Sequence, residues 1–104
     1  MNKLRVGVLG CANIAIRSLA PAFQNHPSYE LMAFAGRNIT KTNETSKKFN
    51  CESIISYQLL IDRNDIDLVY IPLPNSLHYE WVIKSLRANK HVLCEKSLGC
   101  SYKE

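Results

Sequence analysis

The sequence predicts an α/β domain organised around a doubly wound parallel sheet. Three observations carry this. Short apolar runs recur at Leu4 to Leu9, Tyr29 to Ala35, Asp67 to Ile71 and His91 to Cys94. Segments of helical spacing or helix-forming composition separate them. The runs are continuous rather than alternating, which marks strands buried on both faces and therefore a sheet lying between two helical layers. Right-handed crossovers then wind the chain to either side of the sheet.

Leu4 to Leu9 is β-rich and stops at Gly10, so it reads as the first buried strand. From Ala12 to about Asn25 the apolar residues Ile14, Ala15, Leu19, Ala20 and Phe23 recur at helical spacing. Pro21 removes one helix hydrogen bond and predicts a kink or restart there. Asn25 to Ser28 is a turn, and Tyr29 to Ala35 is the second strand, ending at Gly36-Arg37. Thr40 to Phe49 is polar with good helix formers, which predicts a surface helix. Ser53 to Ser56 reads as a short strand and Gln58 to Arg63 as a short helical turn. Asp67 to Ile71 is a further strand, stopped by Pro72 and Pro74. Asn75 or Ser76 can cap the next helix, in which Leu77, Trp81, Ile83 and Leu86 form the face expected to pack on the sheet. Ala88-Asn89-Lys90 ends that helix, and His91 to Cys94 is the last clear strand.

The 104 residues suffice for one domain, taken here as residues 1–104. The composition is 46% hydrophobic and 21% charged, ordinary for a soluble globular chain. The net charge of +4 is scattered, and no basic run resembles a nucleic-acid arm. No stretch approaches the roughly 18 apolar residues of a membrane span, and the N-terminus lacks a signal-peptide core. Cys11, Cys51, Cys94 and Cys100 form no C-x-x-C pair and no zinc spacing, so reduced thiols in a cytoplasmic protein are expected. A phosphate-bearing small molecule suits this charge; a nucleic-acid or membrane partner is not expected.

In a doubly wound sheet, ligands bind beyond the carboxyl ends of the strands. Gly10, Arg37, the Pro72–Asn75 turn and the Glu95-Lys96 pair all follow strands and so fall on one edge. Gly10-Cys11-Ala12-Asn13-Ile14-Ala15 is a G-x-A-x-x-A form of the dinucleotide fingerprint. Small residues let the backbone approach a pyrophosphate, and the following helix offers free N–H groups. That makes Gly10, Ala12, Asn13 and Ile14 candidate cofactor contacts in a Rossmann-like fold; an ordinary tight βα turn would also account for them. NAD sites commonly place an acid about 20 residues further on. Glu30 has that spacing but begins its strand, at the wrong edge. The strand ends instead on Arg37, whose guanidinium can clamp a 2′-phosphate and stack on adenine. Arg37 therefore favours NADP over NAD, with a solvated loop cation as the other reading.

Pro72, Pro74 and Asn75 form a rigid turn that can line a cofactor pocket or simply stiffen the exit from a strand. His78 falls in the first turn of the next helix, where a lone His is more often structural than catalytic. Glu95 and Lys96 are neighbours, so on a strand they point to opposite faces. Glu95 can be structural or orient a substrate. Lys96 in a partly apolar pocket can take part in proton transfer; a solvated strand end is the alternative.

Taken in order, V-G-V-L-G-C-A-N-I-A, A-G-R-N, D-I-D-L-V-Y-I-P-L-P-N-S-L-H and K-H-V-L-C-E-K resemble the N-terminal domain of the Gfo/Idh/MocA family, which includes glucose–fructose oxidoreductase and inositol dehydrogenase. The resemblance covers roughly residues 3 to 98. It implies a nicotinamide-dependent oxidoreductase acting on a sugar, sugar derivative or polyol. It makes Lys96 the catalytic lysine near nicotinamide and the reacting hydroxyl. It places Gly10, Ala12 and Ala15 in the phosphate turn, and Pro74, Asn75 and His78 along the cofactor pocket.

The chain departs from the family pattern at three places. Ser97 stands where the family has the proline of E-K-P, often preceded by a cis peptide, which Ser does not favour. Asn89 stands where the family has glycine, and Asn tolerates the left-handed backbone. The final strands of the fold and the family's second domain, which carries acid/base residues, most of the substrate pocket and the usual oligomer contacts, do not follow Lys96. The expectation is thus a truncated nucleotide-binding portion, catalytically poor alone, with a homo-oligomer among the expected states. A non-catalytic dinucleotide-binding or interaction module is the competing expectation.

Overall fold

The computed structural model describes residues 3–10, 20–72 and 75–94, with backbone alone at 75–78 and 94. The described strands are β1 (Leu4–Leu9), β2 (Tyr29–Ala35), β3 (Glu52–Ile54), β4 (Leu68–Ile71) and β5 (His91–Cys94). The described helices are α1 (Ala20–Asn25), α2 (Ile39–Lys48), α3 (Tyr57–Ile61) and α4 (Asn75–Arg87). The strands form one sheet in the order β3-β2-β1-β4-β5, and every pairing is parallel. This is the doubly wound topology that the apolar runs predict. Cys11 to Leu19 lie outside the described residues, and with them the approach to Pro21 and its expected kink.

The two faces of the sheet bury separate cores, as period-two side chains require. One face carries Leu9, Ala33, Ala35, Val69 and Ile71 against Leu60 and Ile61 of α3 and Trp81 and Val82 of α4. The other carries Val6, Val8, Phe34 and Tyr70 against Ala20 and Phe23 of α1 and Phe49 at the end of α2. That second face is aromatic: Phe23 meets Tyr29 and Tyr70 edge-on, and Phe34 packs on Phe49. Gly7 permits the first core to close. A Cβ there would lie 2.7 Å from Leu60 Cδ2, so any side chain would force the Leu60 side chain to shift. Between Val6 and Gly7 the β1–β2 register slips by one residue.

Several boundaries move by a residue or two for identifiable reasons. α2 begins at Ile39 because Asn38 caps it, its side chain accepting from the Lys41 N–H at 2.9 Å. Its buried positions are Thr42, Thr45 and Ser46, so the polar helix lies on the sheet through small side chains. Ser56 caps α3 in the same way, accepting from the Leu59 N–H, which ends β3 at Ile54. α4 already includes Asn75 and Ser76, so it starts earlier than a cap at either residue implies. Leu86, expected on the buried face of α4, is 52% exposed, whereas Ser85 is fully buried. The helix turns Trp81, Val82 and small Ser85 inward, and Leu86 falls off that stripe.

Helices α2 and α4 end alike. Asn50 and Asn89 both adopt positive φ, 58° and 64°. Each is followed by a backbone N–H that reaches back to the last turn: Cys51 to the Ser46 carbonyl and Lys90 to the Ser85 carbonyl. Asn50 N–H donates to Lys47 and Asn89 N–H to Leu86. These are Schellman closures, with asparagine in the role glycine usually fills.

Candidate functional site

Parallel strands put every carboxyl end on one edge of the sheet. The chain steps outward from β1 to β2 and β3 on one side and to β4 and β5 on the other. The order therefore reverses between β1 and β4, the switch point beyond whose carboxyl edge doubly wound folds place their ligand crevice. Two residues past the Val8–Tyr70 pair, these strands run out at Gly10 and Pro72. Gly10 has φ 100°, a conformation that L side chains rarely adopt, and its N–H still donates to the Ala35 carbonyl at 2.6 Å. The first glycine of the fingerprint thus turns the chain out of the sheet at the crevice. Pro72 is buried and closes β4.

β2 ends beside β1, and the Gly36 N–H donates to the Ile54 carbonyl at 3.1 Å. The next residue, Arg37, is exposed on this edge, immediately before the Asn38 cap. Its Cζ lies 5.8 Å from the centre of the Tyr57 ring. Among the described residues no carboxylate pairs with it. Glu30 sits at the opposite end of β2, in register with Arg5, so it cannot reach a ligand at the carboxyl edge. Asn75 and His78 occupy the first turn of α4, which opens from the same edge beside β4. β5 delivers its own carboxyl end there at Cys94. Ala12, Asn13, Ile14, Pro74, Glu95, Lys96 and Ser97 lie outside the described residues.

The residues brought together are thus Gly10, Arg37, Pro72 and the start of α4. This edge fits a dinucleotide: a glycine turn with positive φ where β1 ends, and a guanidinium that no described carboxylate neutralises where β2 ends. Tyr57 was not singled out from the sequence, although it follows the carboxyl end of β3 and the same edge rule would have found it.

Lys90 was also missed as an anchoring residue. Its Nζ donates to the Arg63 carbonyl at 2.6 Å and to the Ile66 carbonyl at 2.7 Å, which fixes the loop entering β4. Cys51 is half-buried, and burial pushes its thiol up to about 11, away from the thiolate form. Among the described residues no group of three or more His, Cys, Asp or Glu could hold a metal, and no helix is long and apolar enough to cross a membrane.

Fold and edge together define a nucleotide-binding domain of the Rossmann type. Residues 4–104 match the family described as "Oxidoreductase family, NAD-binding Rossmann fold". The chain belongs to this family, Gfo/Idh/MocA. It is 46% identical over 95 residues to a dTDP-3,4-didehydro-2,6-dideoxy-alpha-D-glucose 3-reductase of Saccharopolyspora spinosa, covering 91% of this chain and 29% of that protein. It is 37% identical over 99 residues to D-xylose 1-dehydrogenase (NADP(+)) 2 of Haloferax volcanii, covering 94% and 30%. Among solved structures it superposes on KijD10, a 3-ketoreductase from Actinomadura kijaniata in complex with TDP-benzene and NADP. That match has a TM-score of 0.89 and 45% identity, covering 93% of this chain and 31% of the other. The chain spans 28–31% of the length of the curated relatives it matches over nine-tenths or more of its residues.

Proposed function

We propose that residues 1–104 form the NADP-binding portion of an oxidoreductase whose substrate is a sugar or sugar derivative. The observation that carries this reading is Arg37. It stands exposed at the carboxyl end of β2, where an NAD site commonly places an acid, and no described carboxylate neutralises it. Its fork of donors suits the 2′-phosphate that distinguishes NADP from NAD. Relatives named as an NADP-dependent xylose dehydrogenase and a 3-ketoreductase in complex with NADP support both the cofactor and the substrate class.

In this reading Gly10, Ala12, Asn13 and Ile14 receive the pyrophosphate at the fingerprint turn. Pro72, Pro74, Asn75 and His78 shape the crevice wall beside β1. Bound nicotinamide supplies or accepts the hydride; the chain positions and polarises. Lys96 holds or releases a proton at Nζ toward the reacting oxygen, and Glu95 steadies the strand end that presents it. Cofactor holding is the part assigned to this chain. The setting is taken as cytoplasmic, where such cofactors and reduced thiols occur together.

Calorimetric and thermal-shift titrations with NADPH and NADH test this directly. Tighter binding of NADPH is expected, and Arg37→Ala should weaken it roughly 10- to 100-fold, the worth of charged hydrogen bonds, with NADH little affected. A folded chain that binds neither cofactor, or an Arg37→Ala variant with undiminished NADPH preference, overturns the reading.

A further inference from the structure

We infer that Tyr57 is a positioning residue for cofactor selection: its ring holds the Arg37 guanidinium in place while leaving the charge unspent. The inference rests on the NADP reading of Arg37 and adds a residue to it. Arg37 is a long, exposed side chain on a loop, and free in solvent it would sample many rotamers. In the structure its Cζ lies 5.8 Å from the Tyr57 ring centre, within the roughly 6 Å reach of a cation–π contact.

The ring itself is fixed. Tyr57 is the first residue of α3, directly after the Ser56 cap. It meets Trp81 of α4 edge-on, with centroids 5.2 Å apart and planes at 83°. Trp81 is covered in turn by Lys84, whose Nζ lies 4.4 Å from its ring centre and 2.9 Å from the Glu80 carboxylate. A continuous stack thus runs from the end of β2 through α3 to α4. It ties the cation expected at the adenosine end of the cofactor to the helix that opens beside the crevice.

The chemistry of the hold matters. A carboxylate would also fix Arg37, but it would occupy the N–H fork and cancel the charge a phosphate needs. An aromatic ring engages the cation through its π-system and leaves the in-plane donors available for bidentate contact with phosphate oxygens. Holding the side chain beforehand lowers the ordering cost of binding. The effect should appear only for a ligand that carries the 2′-phosphate.

The test is titration of the full chain with NADPH and NADH in the wild type, Tyr57→Phe, Tyr57→Leu, Arg37→Ala and the Arg37→Ala/Tyr57→Leu double variant. Tyr57→Leu should lower the NADPH-over-NADH preference about 2- to 5-fold, the scale of an exposed cation–π contact. Tyr57→Phe should retain the preference because it keeps the ring, and Tyr57→Leu should add nothing once Arg37 is alanine. Where Tyr57→Leu loses its cooperative melt, Tyr57→Met fills the volume without a π-face. The inference is overturned if Tyr57→Phe falls as far as Tyr57→Leu, which assigns the effect to the hydroxyl. It is equally overturned if NADH and NADPH weaken together, or if neither changes. An Arg37→Ala variant that loses the preference beside an indifferent Tyr57→Leu rejects this inference alone. A wild type without NADPH preference rejects the NADP reading and this inference with it.

Discussion

The two edges of the sheet are built on opposite rules. At the amino edge the charges find partners. Arg5 donates from its backbone and from Nε to one oxygen of Asp67 and from Nη2 to the other. Arg63 bridges Asp65 and Glu52, each at 2.7 Å, and Lys90 ties down the same loop through two carbonyls. Hydrogen bonds to Asp65 and then Glu52 hold the Arg63 guanidinium above its ordinary value, and those from Arg5 hold the Asp67 carboxyl below its own. At the carboxyl edge, Gly10 turns outward with positive φ and Arg37 rests on a ring instead of an acid. The lesson is that charge at one edge closes the sheet, while charge at the other stays available to a ligand.

Substitutions at the two edges should therefore separate binding from stability. The largest effect is the loss of NADPH preference in Arg37→Ala, with the melting temperature of the free chain unchanged. Next comes Lys90→Met, which removes the donor for two loop carbonyls. It should cost about 1–3 kcal/mol of folding free energy, read by denaturant unfolding, with cofactor preference intact. A change in preference there would blur the distinction between the edges.

A smaller effect concerns acid. Arg63 holds Asp65 below its ordinary value of 3.8, and Arg5 does the same for Asp67. The unfolded chain then binds more protons than the folded one between the lowered value and 3.8. The stabilisation is complete above that window and disappears as pH falls through it. Asp67→Asn should flatten this acid limb in melts recorded from neutral pH downward. An unchanged limb would mean the ion pair is not coupled to folding. The smallest effect is Asn89→Gly, which relieves a left-handed asparagine and should raise stability by a few tenths of a kcal/mol. Asn89→Ala should instead destabilise by about 1 kcal/mol.

Much of the ligand edge was legible beforehand because it depends on topology. Once continuous apolar runs imply parallel strands, every strand end that carries glycine, arginine or proline lands on one side. Glu30 could be set aside for the same reason, and Asn89, standing where the family has glycine, could be expected to tolerate left-handed geometry. Leu86 shows the limit. Its helical spacing suggested burial, but which stripe of α4 faces the sheet depends on how the helix docks, and the docked stripe buries Ser85 and leaves Leu86 exposed.

The sequence by itself determined the order of the elements, the parallel sheet, the edge that faces a ligand and the tolerance of Asn89 for left-handed backbone. These follow from local sterics and from periodicities of two and 3.6 residues, which any window of the chain carries. The tertiary structure alone decided the partners: Lys90 on a carbonyl 24 residues away, Arg5 on a carboxylate 62 residues away, and Arg37 on the ring of Tyr57. Such contacts depend on strand register and helix docking. A side chain's sequence neighbours do not encode which distant group will stand opposite it once the sheet has closed.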